Sequence, residues 1–285
     1  MFLVLFVVAF FCLVPSQTSR AVEDDGAEDA RILGELHLQQ GKLDEAIAVL
    51  KKAVVLRPDL AAAHNQLGMA YMLKGAYEEA IAEFKLVLES NPRDVPAHSN
   101  LGMAYLRKGE PNRAIEAFQK AIELRPDVAP VYVNLGQAYN AQQRYHDAIE
   151  VLRKAVVLDP SLLGAYYNLG YAYKELGRNR EAEVTLKQAI NLNPNEWATH
   201  SNLGLLHAEM GRSEEALAAL QTAIRLNPGA PGPYYNIGLV HERNNQRAKA
   251  MAAFEKCLQL LPETPENREL RMTVQEKLDK LRRVP

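Results

Sequence analysis

Apolar and small residues return to the same places along this chain every 34 residues. Gly34, Gly68, Gly102, Gly136, Gly170, Gly204 and Gly238 form one series. Ala46, Ala80, Ala114, Ala148, Ala182, Ala216 and Ala250 form a second. Pro58, Pro92, Pro126, Pro160, Pro194, Pro228 and Pro262 form a third. Three series that keep one period without a slip define an internal repeat. Its units are 27–60, 61–94, 95–128, 129–162, 163–196, 197–230 and 231–264.

Each unit predicts two helices. In the first, positions four, seven, eight and eleven fall on one face at 100° per residue; in the fifth unit these are Tyr166, Leu169, Gly170 and Tyr173. Gly41, Gly75, Gly109, Gly177 and Gly211 then mark the helix end, where a left-handed residue carries no steric cost. Gln143 and Asn245 stand there in two units, and Asn tolerates that conformation better than Gln. The second helix ends before the Pro, which lacks an N–H and restrains its predecessor. The position-eight Gly lets the second helix approach, with Ala182 and Leu186, or Phe84 and Phe118 in other units, filling the contact. One hairpin cannot bury this face, so neighbours must stack. Glu183 breaks the pattern where other units carry Ile47, Ile81, Ile115, Ile149, Leu217 and Met251, which points to a snorkelling side chain or a local change in packing.

These residues resemble the tetratricopeptide repeat. The unit at 129–162 carries the pattern as Tyr132, Leu135-Gly136, Tyr139, Ala148, Leu152, Ala155 and Pro160, and the resemblance spans 27–264. It implies an all-α, right-handed superhelical solenoid of seven helix-turn-helix repeats, here within residues 22–264. The segment 265–285 completes the array as a capping helix, with Thr264 as its cap and a stripe of Leu270, Val274, Leu278 and Leu281. An amphipathic helix that binds a partner is the alternative for this segment.

Positions two, six, nine and thirteen of the first helix point away from the core, toward what the resemblance implies is a concave groove. Position six reads Ile32, Gln66, Asn100, Asn134, Asn168, Asn202 and Asn236. Asn is a mediocre helix former that packing does not demand, yet its carboxamide can donate to and accept from an extended main chain. The row is similar to the asparagine ladder of O-linked N-acetylglucosamine transferase repeat domains, where it holds extended protein substrate. The competing reading is a consensus Asn bonded to a neighbouring helix. Around the row, Met69 and Met103 (with Met72 and Leu73) make one stretch apolar and adaptable, while Gln137, Tyr167, Tyr171 and Tyr235 make another amphipathic. These twelve residues, Gln66 to Asn236, form the candidate peptide-binding groove. Charges there are sparse and mixed: Arg107, Lys174, Glu175, Glu209, Glu242 and Arg243. The positions of the heat-shock chaperone carboxylate clamp hold Asn65, Met69, Ser99 and Met103, so that partner is not expected.

Composition narrows the partners without naming one. Lys plus Arg total 33 and Asp plus Glu total 35, so no basic excess points to nucleic acid. Residues 2–14, Phe2 to Val14, are an apolar run too short to span a bilayer comfortably, where about 20 residues are needed. With Ser19-Arg20-Ala21 after it, residues 1–21 read as a secretory signal, or as a segment associating with the membrane. No Lys or Arg precedes the run, a departure from the usual basic leader. Cys12 follows bulky Phe10 and Phe11, unlike a lipidation site, and Cys257 is the other cysteine, so no internal disulfide is expected after cleavage.

No phosphate loop, nucleophile elbow, zinc-protease helix or nucleotide fingerprint occurs, and the repeats leave no room for a catalytic domain. His64, His98 and His200 share position four, and His37, His207 and His241 share position eleven. Equivalent positions in neighbouring hairpins sit roughly 8–10 Å apart, whereas zinc donors lie about 2 Å from the metal. Packing roles are therefore expected, with no metal or other cofactor. The reading is a non-catalytic scaffold of the periplasm or cell envelope that binds a protein segment. Its alternative is the targeting subunit of a glycosyltransferase system with a separate catalytic chain.

Overall fold

Every 34-residue unit folds as a helical hairpin. The computed structural model describes residues 17–264 and 267–283, with side chains from residue 26 onward, and contains no strand among them. The described helices divide into two compact units, one ending at Leu124 and one beginning at Arg125. In the first, α1 (Gln17–Gln39), α2 (Leu43–Leu56), α3 (Ala61–Lys74), α4 (Tyr77–Ser90), α5 (Val95–Lys108) and α6 (Pro111–Leu124) make three hairpins. In the second, α7 (Ala129–Ala141), α8 (Tyr145–Leu158), α9 (Leu163–Glu175), α10 (Asn179–Leu192), α11 (Trp197–Glu209), α12 (Ser213–Leu226), α13 (Pro231–Arg243) and α14 (Arg247–Leu260) make four. The closing helix is α15 (Arg268–Arg283).

Within each unit the second helix of one hairpin packs on the first helix of the next, as α4 does on α5 and α10 on α11. First helices also touch successive first helices: α1 on α3 and α3 on α5 in one unit, α7, α9, α11 and α13 in turn in the other. The burial follows the period. Ala46, Ala80, Ala114, Ala148, Ala182, Ala216 and Ala250 are all fully buried, and so are Phe84, Phe118 and Phe254 four residues beyond their alanines. Burying a side chain of that size stabilises the fold by roughly 1.5–3 kcal/mol. Cys257 occupies the place of Ala53, Val87 and Ala121 and is equally buried, and that burial pushes its thiol up to about 11.

The position-eight glycines hold hairpins at close range. A Cβ on Gly136 would lie 2.4 Å from Leu152 Cγ, and one on Gly68 2.6 Å from Phe84 Cε1. The hairpin turns behave as the sequence requires even where Gly is absent. Gln143 has φ of 59° and Asn245 of 55°. Gln143 N donates to Asn140 O at 3.0 Å and Arg144 N to Tyr139 O at 2.9 Å, the same pair of bonds that Gly75 and Ala76 make. The turn geometry is imposed by the hairpin, at a steric cost that Gln143 bears.

Three regions refine the expected architecture. First, α1 starts at Gln17, ahead of the first repeat unit at 27. The apolar run Phe2–Val14 and Cys12 lie outside the described residues. Second, the closing helix is described over Arg268–Arg283, and Pro265 and Glu266, where the start after Thr264 was expected, lie outside the described residues. Of its predicted stripe, Val274 and Leu278 are buried and Leu281 packs against their cluster, but Leu270 is exposed. Beside it, the Arg271 guanidinium turns inward and donates to the carbonyls of Leu258 at 3.1 Å and Leu261 at 2.5 Å. These bonds satisfy carbonyls at the end of α14.

Third, of the two readings open for Glu183, the local change in packing holds: its side chain is turned into an ion-paired cluster between hairpins. Its carboxylate accepts from Arg212 at 2.7 Å and Lys187 at 2.8 Å, with His207 Nε2 at 3.4 Å. The Arg212 and Lys187 charges hold the carboxyl down at about 2.

Candidate protein-binding face

The exposed face of the first helices carries the candidate residues, and each compact unit presents its own part. In the first unit, Met69 on α3 and Asn100 and Met103 on α5 line one depression of about 420 Å³, together with Met72, Leu73, Tyr77 and Arg107. Gln66 stands on α3 outside that lining, where its amide donates to Glu35 Oε2 at 3.0 Å. Its oxygen is buried without a partner. The Asn100 side chain is half-buried and makes no hydrogen bond to the described residues.

In the second unit, Asn134 and Gln137 lie on α7, Tyr167, Asn168 and Tyr171 on α9, Asn202 on α11, and Tyr235 and Asn236 on α13. The carboxamides do not behave alike. Asn168 Nδ2 donates back to Gly164 O at 2.8 Å, and its own main-chain oxygen accepts from Asn140 Nδ2 at 3.0 Å. Asn236 Nδ2 approaches Ser201 Oγ at 3.4 Å. Asn134 and Asn202 are half-buried and hydrogen-bond to nothing among the described residues. Their donors and acceptors are uncommitted among the described residues.

The aromatic residues divide too. Tyr171 meets Tyr145 edge to face at 6.2 Å, with the Lys174 ammonium 5.6 Å from its ring. Burial, with the Glu175 charge beside it, pushes the Tyr171 hydroxyl up to about 12, so it stays protonated and able to donate. Tyr235 is tied inward instead, its ring 5.8 Å from Phe254 in the core under α15. The expected charges largely neutralise one another. Lys174 pairs with Glu175 at 2.5 Å and Glu209 at 3.6 Å, Glu242 pairs with Lys277 at 2.8 Å, and Arg243 donates to Ala208 O at 2.7 Å.

Two contributors escaped the sequence reading. Tyr77 and Tyr145 both begin a second helix, at position seventeen, and so fall outside the first-helix positions that define the face. An aromatic at position seventeen in only those two units was the available signal. Asn140, buried and bonded to the α9 backbone, was equally unmarked.

The histidines serve the stacking. His64, His98 and His200 donate from Nε2 to the carbonyls of Pro58, Pro92 and Pro194 at 2.9, 3.0 and 2.8 Å. Tyr132 and Tyr234 make the same bond to Pro126 and Pro228 at 2.9 and 3.3 Å. In these five units position four therefore ties the start of the hairpin to the Pro that closes the one before. Among the described residues no three His, Cys, Asp or Glu side chains gather as a metal site would require. No described helix is long and apolar enough to cross a membrane.

The comparisons agree with this geometry. The family profile described as the cilia and flagella-associated protein 70 C-terminal domain matches residues 88–283. Tetratricopeptide repeat profiles match residues 34–75 and 61–94. No curated protein sequence matches the chain. A tetratricopeptide repeat protein of Parabacteroides merdae is similar in structure, with TM-score 0.73 and 18% identity, over 88% of this chain and 99% of that one. The pilF protein of Pseudomonas aeruginosa is similar at TM-score 0.61 and 22% identity, over 75% of this chain and 97% of that one. A thermophilic tetratricopeptide repeat protein of Thermus thermophilus reaches TM-score 0.53 at 26% identity, over 68% of this chain and 98% of that one. With its period, its glycine-spaced hairpins and the profile match over 88–283, the chain belongs to the tetratricopeptide repeat family, of which the cilia and flagella-associated protein 70 C-terminal domain is the matched member group.

Proposed function

We propose that the protein is a non-catalytic scaffold that holds an extended protein segment against the first-helix face, and that it works after export, in the periplasm or cell envelope. Family membership supports a protein-interaction role in general. The observation that carries the finer reading is the state of Asn134 and Asn202, whose carboxamides reach solvent with no protein partner while the helices beneath them are fully packed. Such groups can exchange hydrogen bonds with a passing main chain and so tolerate varied side chains. Tyr167 and Tyr171 beside them add contact area at low entropic cost. Export rests on the apolar run Phe2–Val14 and the small residues after it.

The test is in-cell crosslinking of the epitope-tagged chain, with mass spectrometry of both the captured partner and the mature N-terminus. Replacing Asn134, Asn168 and Asn202 together by Ala should reduce capture of that partner several-fold. Undiminished capture by the triple variant would exclude the ladder. An intact Met1 on a cytosolic chain would exclude export.

A further inference from the structure

The depression in the first unit is chemically distinct from the asparagine face of the second. Met69, Met72, Leu73 and Met103 give it apolar walls, with Met69 46% and Leu73 63% exposed. Exposed apolar surface of this kind is retained where something covers it. Methionine adapts to side chains of different shape, and about 420 Å³ accommodates one or two large apolar side chains.

Arg107 is the charged residue among those that line the depression. Neither α3 nor α5 contains an acidic residue. The cations that end these helices are otherwise committed: Lys74 pairs with Asp44 at 2.5 Å, and Lys108 with Glu110 at 2.8 Å and Glu78 at 3.3 Å. On α1, Arg31 is held by Glu28 and Glu35. Arg107 lines the depression, is exposed, and pairs with no acid among the described residues. Asn100, with its free carboxamide, lines the same depression.

We infer that this depression is a subsite for an internal segment of a partner protein in which a large apolar side chain lies within two residues of an Asp or Glu. The apolar side chain enters between the methionines. The carboxylate receives the Arg107 guanidinium, whose forked donors match it bidentately. Asn100 holds the intervening main chain. An internal segment fits because the adjacent Asn100 suits a main chain that continues through the depression. The inference rests on the groove reading above and assigns its first-unit specificity.

The test uses terminally blocked decapeptides centred on Phe-Leu-Asp-Glu, with Phe-Leu-Asn-Gln and Ser-Ser-Asp-Glu as controls, and the full chain carrying methyl-labelled methionine. The first peptide should shift the Met69, Met72 and Met103 methyl resonances and bind at least tenfold more tightly than either control. Arg107→Glu, at an exposed position that leaves the fold intact, should lower that affinity at least tenfold. The same variant should gain affinity for a Phe-Leu-Lys-Lys peptide. No methyl shift at millimolar peptide, equal affinity for the Asn-Gln control, or binding only when the peptide carboxy terminus is left free would each overturn the inference. If Arg107→Glu leaves capture of the cellular partner unchanged while the Asn134, Asn168 and Asn202 replacements abolish it, the scaffold reading stands and this subsite falls.

Discussion

Glu183 Oε2 accepts a hydrogen bond from Arg212 Nη2 at 2.7 Å, at a repeat position that four other units fill with buried Ile. The neighbouring hairpin changes with it. In the fourth and fifth hairpins the corresponding Arg lies over a Tyr ring, Arg144 at 4.5 Å from Tyr139 and Arg178 at 4.6 Å from Tyr173. In the sixth, His207 replaces the Tyr and Arg212 turns to Glu183 instead. A cation resting on an aromatic face has been exchanged for an ion pair across the stack.

This pair makes part of the stability acid-sensitive. The Glu183 carboxyl lies at about 2 in the folded chain, below its ordinary 4.5, so the folded state binds its proton less readily than the unfolded one. The stabilisation is complete above pH 4.5 and disappears as pH falls through 2. Glu183→Gln should therefore lower stability by about 1–2 kcal/mol at neutral pH, allowing for solvent screening at the exposed Lys187 and half-buried Arg212. Denaturant midpoints of parent and variant should converge as pH approaches 2; curves that stay parallel would show that the charge contributes nothing.

The two classes of glycine should respond differently to a methyl group. Gly136→Ala places a Cβ 2.4 Å from Leu152 in a filled contact and should cost about 1–3 kcal/mol through overpacking. Gly75→Ala meets no atom within 4 Å but keeps φ at +80°, so it should cost about 1 kcal/mol from backbone strain alone. Urea unfolding orders the two, and a costlier Gly75→Ala would mean the hairpin spacing is softer than the contact implies.

The asparagines should separate by what they already bond. Asn134→Ala and Asn202→Ala remove no intramolecular hydrogen bond and should shift the melting midpoint little while weakening partner capture. Asn168 donates within its own helix, so Asn168→Ala alone should affect capture less than either. Circular dichroism melts beside quantitative crosslinking distinguish these effects, and a large loss of helicity in the Asn202 variant would assign it a structural role.

Cys257 should be inert in the folded chain. Its thiol is fully buried and pushed up to about 11, which suppresses the reactive thiolate. In a Cys12→Ser background, a thiol reagent at pH 8 should label Cys257 only above the unfolding transition. Rapid labelling in native buffer would show that the α14–α15 end opens readily.

Much of this protein is determined by the sequence alone. The 34-residue period fixes hairpin number, turns, buried faces and family, because close-packed stacking admits one residue size at each buried position and every copy must meet the same requirement. Gln143 shows how strong that constraint is, since it adopts the left-handed turn its glycine counterparts accept freely. The repeat positions of Met69, Asn100 and Met103 also put them on one face, and they line one depression. Only the tertiary structure decides which polar groups are committed: Asn168 to its own helix, Tyr235 to the core, Lys108 to two glutamates, Arg107 to none. The reason is physical. A repeat pattern specifies which way a side chain leaves its helix, but whether its hydrogen bonds are already satisfied depends on atoms many residues away in sequence, brought near by the stack.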